Sequence, residues 1–419
     1  MAKPRSLESR ARKVDAVNRI ITELQREGVV KHRAGSGDGA LWTVGGRSLR
    51  NFGSCSYMGL ERHPALVAGA HDALEKYGTC FSISRIYLEC PLYADLEQHL
   101  GRIMGRHVLV AQSTSAAHMA ALPALVGDHD LVLLDQFAHA SMHAASELIS
   151  DVQIELVRHN RIDLLEQRLQ EAERDFERVW YLCDGVYSML GDFAPFTELA
   201  DLLERYPALH LYVDDAHAMS WYGPHGRGAG LTHLGSSERV VVATSMAKAF
   251  GACGGILAFP TAELRERVRN CGGPLMFSGP LSPAVLGAAV ASATLHLEDG
   301  FSAMQSELRE RVAFARDALF SRGLTPATDD ETPIFMLHYE SATVAAKVVR
   351  AMLDRGFFCC PSTFPAVPIN KPSIRFTVSR HNPFEDIEAL IDGLAEVNAQ
   401  LSTPEAKRHP ALASSPSEL

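Results

Sequence analysis

The stretch Leu211-Tyr212-Val213-Asp214-Asp215-Ala216-His217 constrains this chain more than any other. It reads as a buried strand that ends in two carboxylates, with an imidazole three residues past the first. The run Val240-Val241-Val242-Ala243-Thr244-Ser245-Met246-Ala247-Lys248-Ala249-Phe250-Gly251 repeats the design: apolar residues, then hydroxyls, then one lysine. In open α/β sheets, ligands sit outside the carboxyl ends of the strands. Both stretches are therefore expected to deliver acid, imidazole, hydroxyls and amine to one crevice. That set suits a cationic aromatic ring that carries a phosphate and is held as an imine. Each piece alone has a simpler use. An acidic pair after a strand often caps a helix, and a single lysine is usually a solvated one. Asp and His could also ligate a metal, but no further His or Cys completes a usual spacing. The combination, each piece closing a strand, is the specific signal.

Composition narrows the classes. With 419 residues, 47% of them hydrophobic, the chain is long enough for a large core and a second domain. A formal charge of −10 argues against a general nucleic-acid binder, while leaving room for a local basic patch. The eight cysteines form no CxxC pair, so no zinc site is expected, and a chain this large needs no disulfides. Reduced cysteines in a cytoplasmic protein are the simpler reading. No apolar run is long enough to span a bilayer. The first residues are basic but lack an apolar signal core, and Glu8 and Asp15 weaken a transit-peptide reading.

Along the chain, residues 1 to about 34 read as one amphipathic helix with Val14, Val17, Ile20, Ile21 and Leu24 on one face. A hairpin is expected around Gly45-Gly46, and a helix from Pro64 to about Tyr77. The strand His107–Ala111 ends in Gln112-Ser113-Thr114-Ser115 and opens a helix. Such a helix start is a phosphate cradle; taken by itself, a plain serine or threonine cap is the preferred reading. Further strands near 130–134, 154–157 and 179–183 deliver polar loops, among them Phe137-Ala138-His139 and Asp184 to Asp192. Helix–strand alternation over 64–259 implies a mostly parallel sheet flanked by helices. The expected organisation is an N-terminal helix and hairpin (1–50), a large domain (51–290), a smaller C-terminal α+β domain (291–402) and a disordered tail (403–419). A long helical connector is expected over about 284–322. No internal repeats are visible.

With these motifs in hand, the chain resembles the α-oxoamine synthases, pyridoxal-phosphate enzymes of fold type I. The resemblance covers about Asn51 to His381. It is carried by Ala138-His139-Ala140-Ser141, by Asp184-Gly185-Val186-Tyr187-Ser188-Met189-Leu190-Gly191-Asp192, by Val213 to His217, by the Lys248 segment and by Ile374 to Ser379. Some segments, such as Phe81 to Glu89 and Ala243 to Phe250, look most like the branch making α-hydroxyketone autoinducers.

The resemblance implies that Lys248 forms an imine with pyridoxal 5′-phosphate and later removes a Cα proton. Asp214 would pair with the pyridine nitrogen, His217 would bond the 3′-oxygen, and His139 would stack on the ring. Ser188 falls near the 3′-oxygen. Ser113, Thr114, Ser115, Thr244 and Ser245 are phosphate candidates; Gly279 sits where a threonine usually reaches the partner subunit's phosphate, and the neighbouring Ser278 is the candidate substitute for it. Arg375 would clamp the substrate carboxylate; by itself it reads as an ion-paired surface arginine.

The implied reaction condenses an amino acid with an acyl thioester of CoA or a carrier protein, usually with decarboxylation, in a homodimer with shared sites. Neither nucleic-acid binding nor stable membrane insertion is implied. The chain departs from the family pattern at Cys55-Ser56, over Cys80 to Pro91 (which includes Arg85), at Thr114 and at Gly279. The first three lie where substrates are chosen, or close by, so Cys55 and Arg85 become substrate candidates. Alternatives are a transaminase using the same cofactor, a cofactor-sensing regulator and a catalytically dead partner subunit. Residues 1–50 offer no DNA-binding module, and Lys248 argues against a dead subunit.

Overall fold

The structure is a computed structural model that describes residues 7–172 and 174–401, with side chains from Val14 onward. The expected tail over 403–419 lies outside the described residues. Within them, Cys55–Arg309 with Ser379–His381 forms one unit. Glu310–Val378 and the described parts of Met1–Ser54 and Asn382–Leu419 supply the other.

The first unit is built on a seven-stranded sheet. In chain order its strands are β1 (His107–Ala111), β2 (Asp130–Asp135), β3 (Gln153–Val157), β4 (Arg178–Asp184), β5 (Leu209–Asp214), β6 (Val240–Ser245) and β7 (Gly255–Phe259). Their spatial order is β1-β7-β6-β5-β4-β2-β3. All pairings are parallel except those of β7, which runs antiparallel between β1 and β6. The mostly parallel sheet is thus confirmed, and one reversed strand is added to it. Strands β2, β6 and β7 are buried at every position, as expected where helices cover both faces.

Helix α1 (Pro64–Tyr77) begins at a proline, as its sequence predicts. Helix α2 (Thr114–Leu125) is apolar nearly all round. Ala117, Ala120, Ala121 and Ala124 let it lie close to the sheet, and His118 is its one fully buried polar side chain. The expected 284–322 connector is two helices, α3 (Pro283–His296) and α4 (Phe301–Ser321). Helices α1 and α3 touch at a pair of glycines. A Cβ on Gly287 would stand 2.1 Å from the Gly69 carbonyl oxygen, so no side chain fits at that contact.

In the second unit the N-terminal helix spans Leu7–Arg26, shorter than predicted. Gly28, at φ +66°, ends it by donating to Gln25. Of its expected apolar face, Leu24 is buried while Val14 is 63% exposed. The hairpin forms as expected, with Leu41–Val44 paired to Arg47–Asn51 around Gly45-Gly46. Strands Ile334–His338, Ser373–Thr377 and Cys360–Ser362 make an antiparallel sheet that contains Arg375.

Candidate active site

Four parallel strands finish on polar residues at one edge of the sheet: Asp135 on β2, Asp184 on β4, Asp214 on β5 and Ser245 on β6. The next loops or helix starts carry His139, Ser188, His217 and Lys248. This edge is where the sequence places the site.

Asp214 sits at its centre and is 4% exposed. Its Oδ1 accepts the Ala216 amide at 3.0 Å, and its Oδ2 is 2.9 Å from His118 Nε2. The other ring nitrogen of His118 lies 2.9 Å from the Tyr212 hydroxyl. If Tyr212 donates to Nδ1, the Nε2 proton must point at Asp214, which gives a buried line from phenol to imidazole to carboxylate. Burial works to raise the Asp214 pKa. The adjoining His118, with Lys248 and His139, overcomes that and holds it at about 2.

Asp184 is the register partner of Asp214 on the neighbouring strand. Its pKa is pushed well up, first by burial and then by the Asp214 charge. The two carboxyls therefore divide their roles: Asp214 keeps the charge because it has the imidazole. Asp215, fully buried, is likewise raised to about 7 by burial, although Gly230 donates to its Oδ2 at 2.9 Å.

His139 caps helix Ala140–Ser146, its Nδ1 2.6 Å from the Ser141 hydroxyl. Its backbone amide donates to Asp184 Oδ1 at 2.9 Å, so the residue is tied to the sheet edge while its side chain stays exposed. Desolvation around the ring, together with the charges of Lys248 and His118, lowers its pKa against the pull of Asp214. The Lys248 charge is felt at Asp214, Asp184 and His139, so the structure brings these four together. His217 is buried, and its Nδ1 is 2.8 Å from the hydroxyl of Tyr57, itself fully buried.

At the start of α2, Ser113 Oγ accepts the Ala116 amide at 3.1 Å, so this hydroxyl is a cap. Thr114 Oγ1 donates to Thr244 O, Thr244 Oγ1 donates to Asp215 O, and Ser245 Oγ accepts the Ala247 amide. These bonds lock the helix start to the ends of β5 and β6 and leave the Thr114 and Ser115 backbone amides as the natural anion donors. Ser115 stands half-buried beside them. A Cβ on Gly255 would lie 2.4 Å from Ser113 O and 2.6 Å from Thr114 N, so glycine is required for β7 to pass beneath the cradle.

The remaining candidates differ. Ser188 lies in the turn after β4, half-buried. Ser278 is exposed and its hydroxyl donates to Pro274 O. Arg85 is not directed at the Lys248 group. Its guanidinium pairs with Glu89 and Glu97, donates to Val110 O, and lies 3.6 Å over the Tyr93 ring, which is a structural anchorage. Cys55 is half-buried in the loop that carries Tyr57. Arg375 is 8% exposed on its strand in the second unit, not the exposed arginine its sequence alone suggests.

Sequence reasoning missed His118, Tyr212 and Tyr57, which position the carboxylate and the imidazole. A lone histidine in an alanine-rich helix, four residues past Thr114, was the available signal for the first. The other two look like core aromatics until their hydroxyl partners are known.

The family model for class I and II aminotransferases matches residues 49–394. The 8-amino-7-oxononanoate synthase of Geobacter sulfurreducens is 34% identical over 370 residues, 88% of this chain and 93% of its own. The serine palmitoyltransferase of Bacteriovorax stolpii is 31% identical over 365 residues, 86% of this chain and 85% of its own. Among solved structures, a serine palmitoyltransferase variant from S. paucimobilis with bound PLP–myriocin aldimine superposes with a TM-score of 0.84 at 25% identity. That match covers 95% of this chain and 99% of the other. These matches run over most of the chain's length, and the chain belongs to the class I and II aminotransferase family and, within it, to the α-oxoamine synthases, pyridoxal-phosphate enzymes of fold type I.

Proposed function

We propose that this chain is a pyridoxal-phosphate-dependent acyltransferase. It condenses an amino acid with an acyl thioester, of CoA or of a carrier protein, releasing thiol and usually carbon dioxide to leave an α-aminoketone. The observation that carries this reading is the grouping of exposed His139 with Lys248 over the buried Asp214 carboxylate. The names of the relatives above, one an acyltransferase acting on serine, support acyl transfer over amino-group transfer.

The residues fit the cofactor. A buried carboxylate that His118, Lys248 and His139 hold ionised at about 2 can take a further cation against it, and a protonated pyridine nitrogen is one. An anion cradle stands beside it at the start of α2. Bound pyridoxal phosphate supplies an electron sink for a carbanion at the amino acid's Cα. Lys248 Nζ would hold the cofactor, and the same amine is the base that takes the Cα proton. Asp214 keeps the ring nitrogen protonated. At ~4 Å and an effective dielectric near 20, such a pair contributes roughly 4 kcal/mol before desolvation.

Tyr57 holds Nδ1 of His217 at 2.8 Å, and His217 is proposed to bond the ring's 3′-oxygen, with Ser188 beside it. His139 covers the ring face and orients the thioester carbonyl. The Thr114 and Ser115 amides of α2, with Ser115, Thr114, Ser113, Thr244 and Ser245 fixing the loop, bind the phosphate, and Ser278 serves a second subunit's phosphate. Arg375 is proposed to hold the substrate carboxylate bidentately, with Cys55 near the amino acid. The homodimer is supported by exposed apolar side chains on two loops, Ile86, Tyr87, Leu88 and Phe277. No helix among the described residues is long and apolar enough to cross a membrane. The eight free cysteines support a reducing, cytoplasmic setting.

The test has two stages. Borohydride reduction of the protein with pyridoxal phosphate should fix a cofactor mass on the Lys248 peptide, and Lys248→Ala should abolish it. Absence of that adduct in the unmodified protein would overturn the cofactor assignment. A panel of single amino acids with acyl-CoA should then release free thiol only with the correct pair. Conversion of the cofactor to pyridoxamine phosphate by an amino acid alone, without thiol release, would make the enzyme an aminotransferase.

A further inference from the structure

We propose that His159 is a positioning residue that clasps the loop carrying His139 to the turn carrying Ser188 by bridging Asp135 and Asp192 as an imidazolium. The proposal rests on the reading of His139 and Ser188 given above. His159 follows β3, one strand beyond the loops that hold the site. Its Nδ1 is 3.1 Å from Asp135 Oδ1 and its Nε2 is 2.8 Å from Asp192 Oδ2. Both ring nitrogens thus face carboxylate oxygens, which accept only, so both must carry protons for the two bonds to exist together.

Each carboxylate organises one functional loop. Asp135 Oδ1 also accepts the Phe137 amide at 2.8 Å, and Ala138 donates to the Asp135 carbonyl, which fixes the turn that delivers His139. Asp192 Oδ2 also accepts Asn160 Nδ2 at 3.1 Å, while the Asp192 carbonyl accepts the Tyr187 amide, closing the turn around Ser188. The His159 ring is packed between the two loops, 4.7 Å from the Phe137 ring and 4.3 Å from that of Tyr187.

The titratable groups facing this centre are Asp135, Asp192, Tyr181, whose hydroxyl donates to Asp135 Oδ2 at 3.1 Å, and the Tyr187 ring; Asp184 and Cys183 feel the Asp135 charge. Burial lowers the His159 pKa, but the two carboxylates outweigh it and raise it to about 9. The folded value is above the ordinary one. The clasp is therefore complete below the unfolded histidine pKa of ~6.5 and is lost as pH rises through about 9. Tyr181 and Tyr187 are both pushed well above their ordinary values by burial, so they do not ionise in that window.

The test is amide hydrogen exchange, corrected for intrinsic rate, on the cofactor-loaded full chain between pH 7 and 10. In the wild type, amides of residues 136–139 and 187–192 should open by up to about tenfold per pH unit as pH rises toward about 9, in a step that levels off above it, while amides of Pro64–Tyr77 stay unchanged. Asp192→Asn, by removing one carboxylate, should move that step to lower pH. His159→Gln should exchange fast in both loops at pH 8 and show no step. A wild type without a step, or a step that Asp192→Asn leaves in place, overturns the proposal even if His159→Gln fails to fold. None of these readouts needs a substrate, so they stand apart from the thiol-release assay.

Discussion

At the scale of single residues, Asp214 gains its role from a neighbour. Two adjacent strands end in buried carboxyls, and the one with an imidazole against it keeps the negative charge. Its pKa of about 2 lies below the ordinary carboxylate value, so the stability it contributes is present above the unfolded pKa and lost only as pH falls through about 2. His118→Leu should raise that pKa and shift the acid limb of the kcat–pH profile upward. Asp214→Asn should leave the cofactor attached but lower kcat by about 10²–10³-fold, the kinetic equivalent of the ~4 kcal/mol pair. A profile whose acid limb is unmoved in the first variant would show that His118 does not govern the carboxylate.

At the scale of elements, packing rather than propensity decides the close contacts. The Gly69–Gly287 contact between α1 and α3 leaves no volume for a methyl group. Gly287→Ala should therefore cost about 1–3 kcal/mol, read as a lower denaturant midpoint with little change in slope. Most elements were legible because their ends carry chemistry: Pro64 starts a helix, and Asp214 and Ser245 close strands. The long predicted N-terminal helix stops early because Gly28 turns left-handed. The direction of β7 was not legible, since five buried residues read alike in either orientation. His118 and Tyr57 were missed for a related reason: a hydrogen bond between residues 96 or 160 positions apart leaves no local pattern. Arg85 misled because position in a variable loop says nothing about the two glutamates that hold it.

At the scale of the whole molecule, Tyr87 and Phe277 are 82% and 87% exposed, on two loops joined by a hydrogen bond from Ser84 Oγ to the Met276 carbonyl. Apolar surface of this kind marks an association site. Tyr87→Glu combined with Phe277→Glu should turn a dimer into a monomer in sedimentation velocity, and a wild-type monomer would refute the shared-site assembly. The placement of β7 has a further consequence, for biosynthesis. Strand β1 lies at the edge of the sheet, and its one strand partner is β7, so Ala111 waits for Gly255 before the sheet can close beside the phosphate cradle. The ribosome adds residues at about 5–20 per second, so roughly 7 to 29 seconds separate the two strands at the exit tunnel. The nascent chain cannot close its sheet beside the phosphate cradle during that interval, so a complete cofactor pocket waits at least until β7 has emerged.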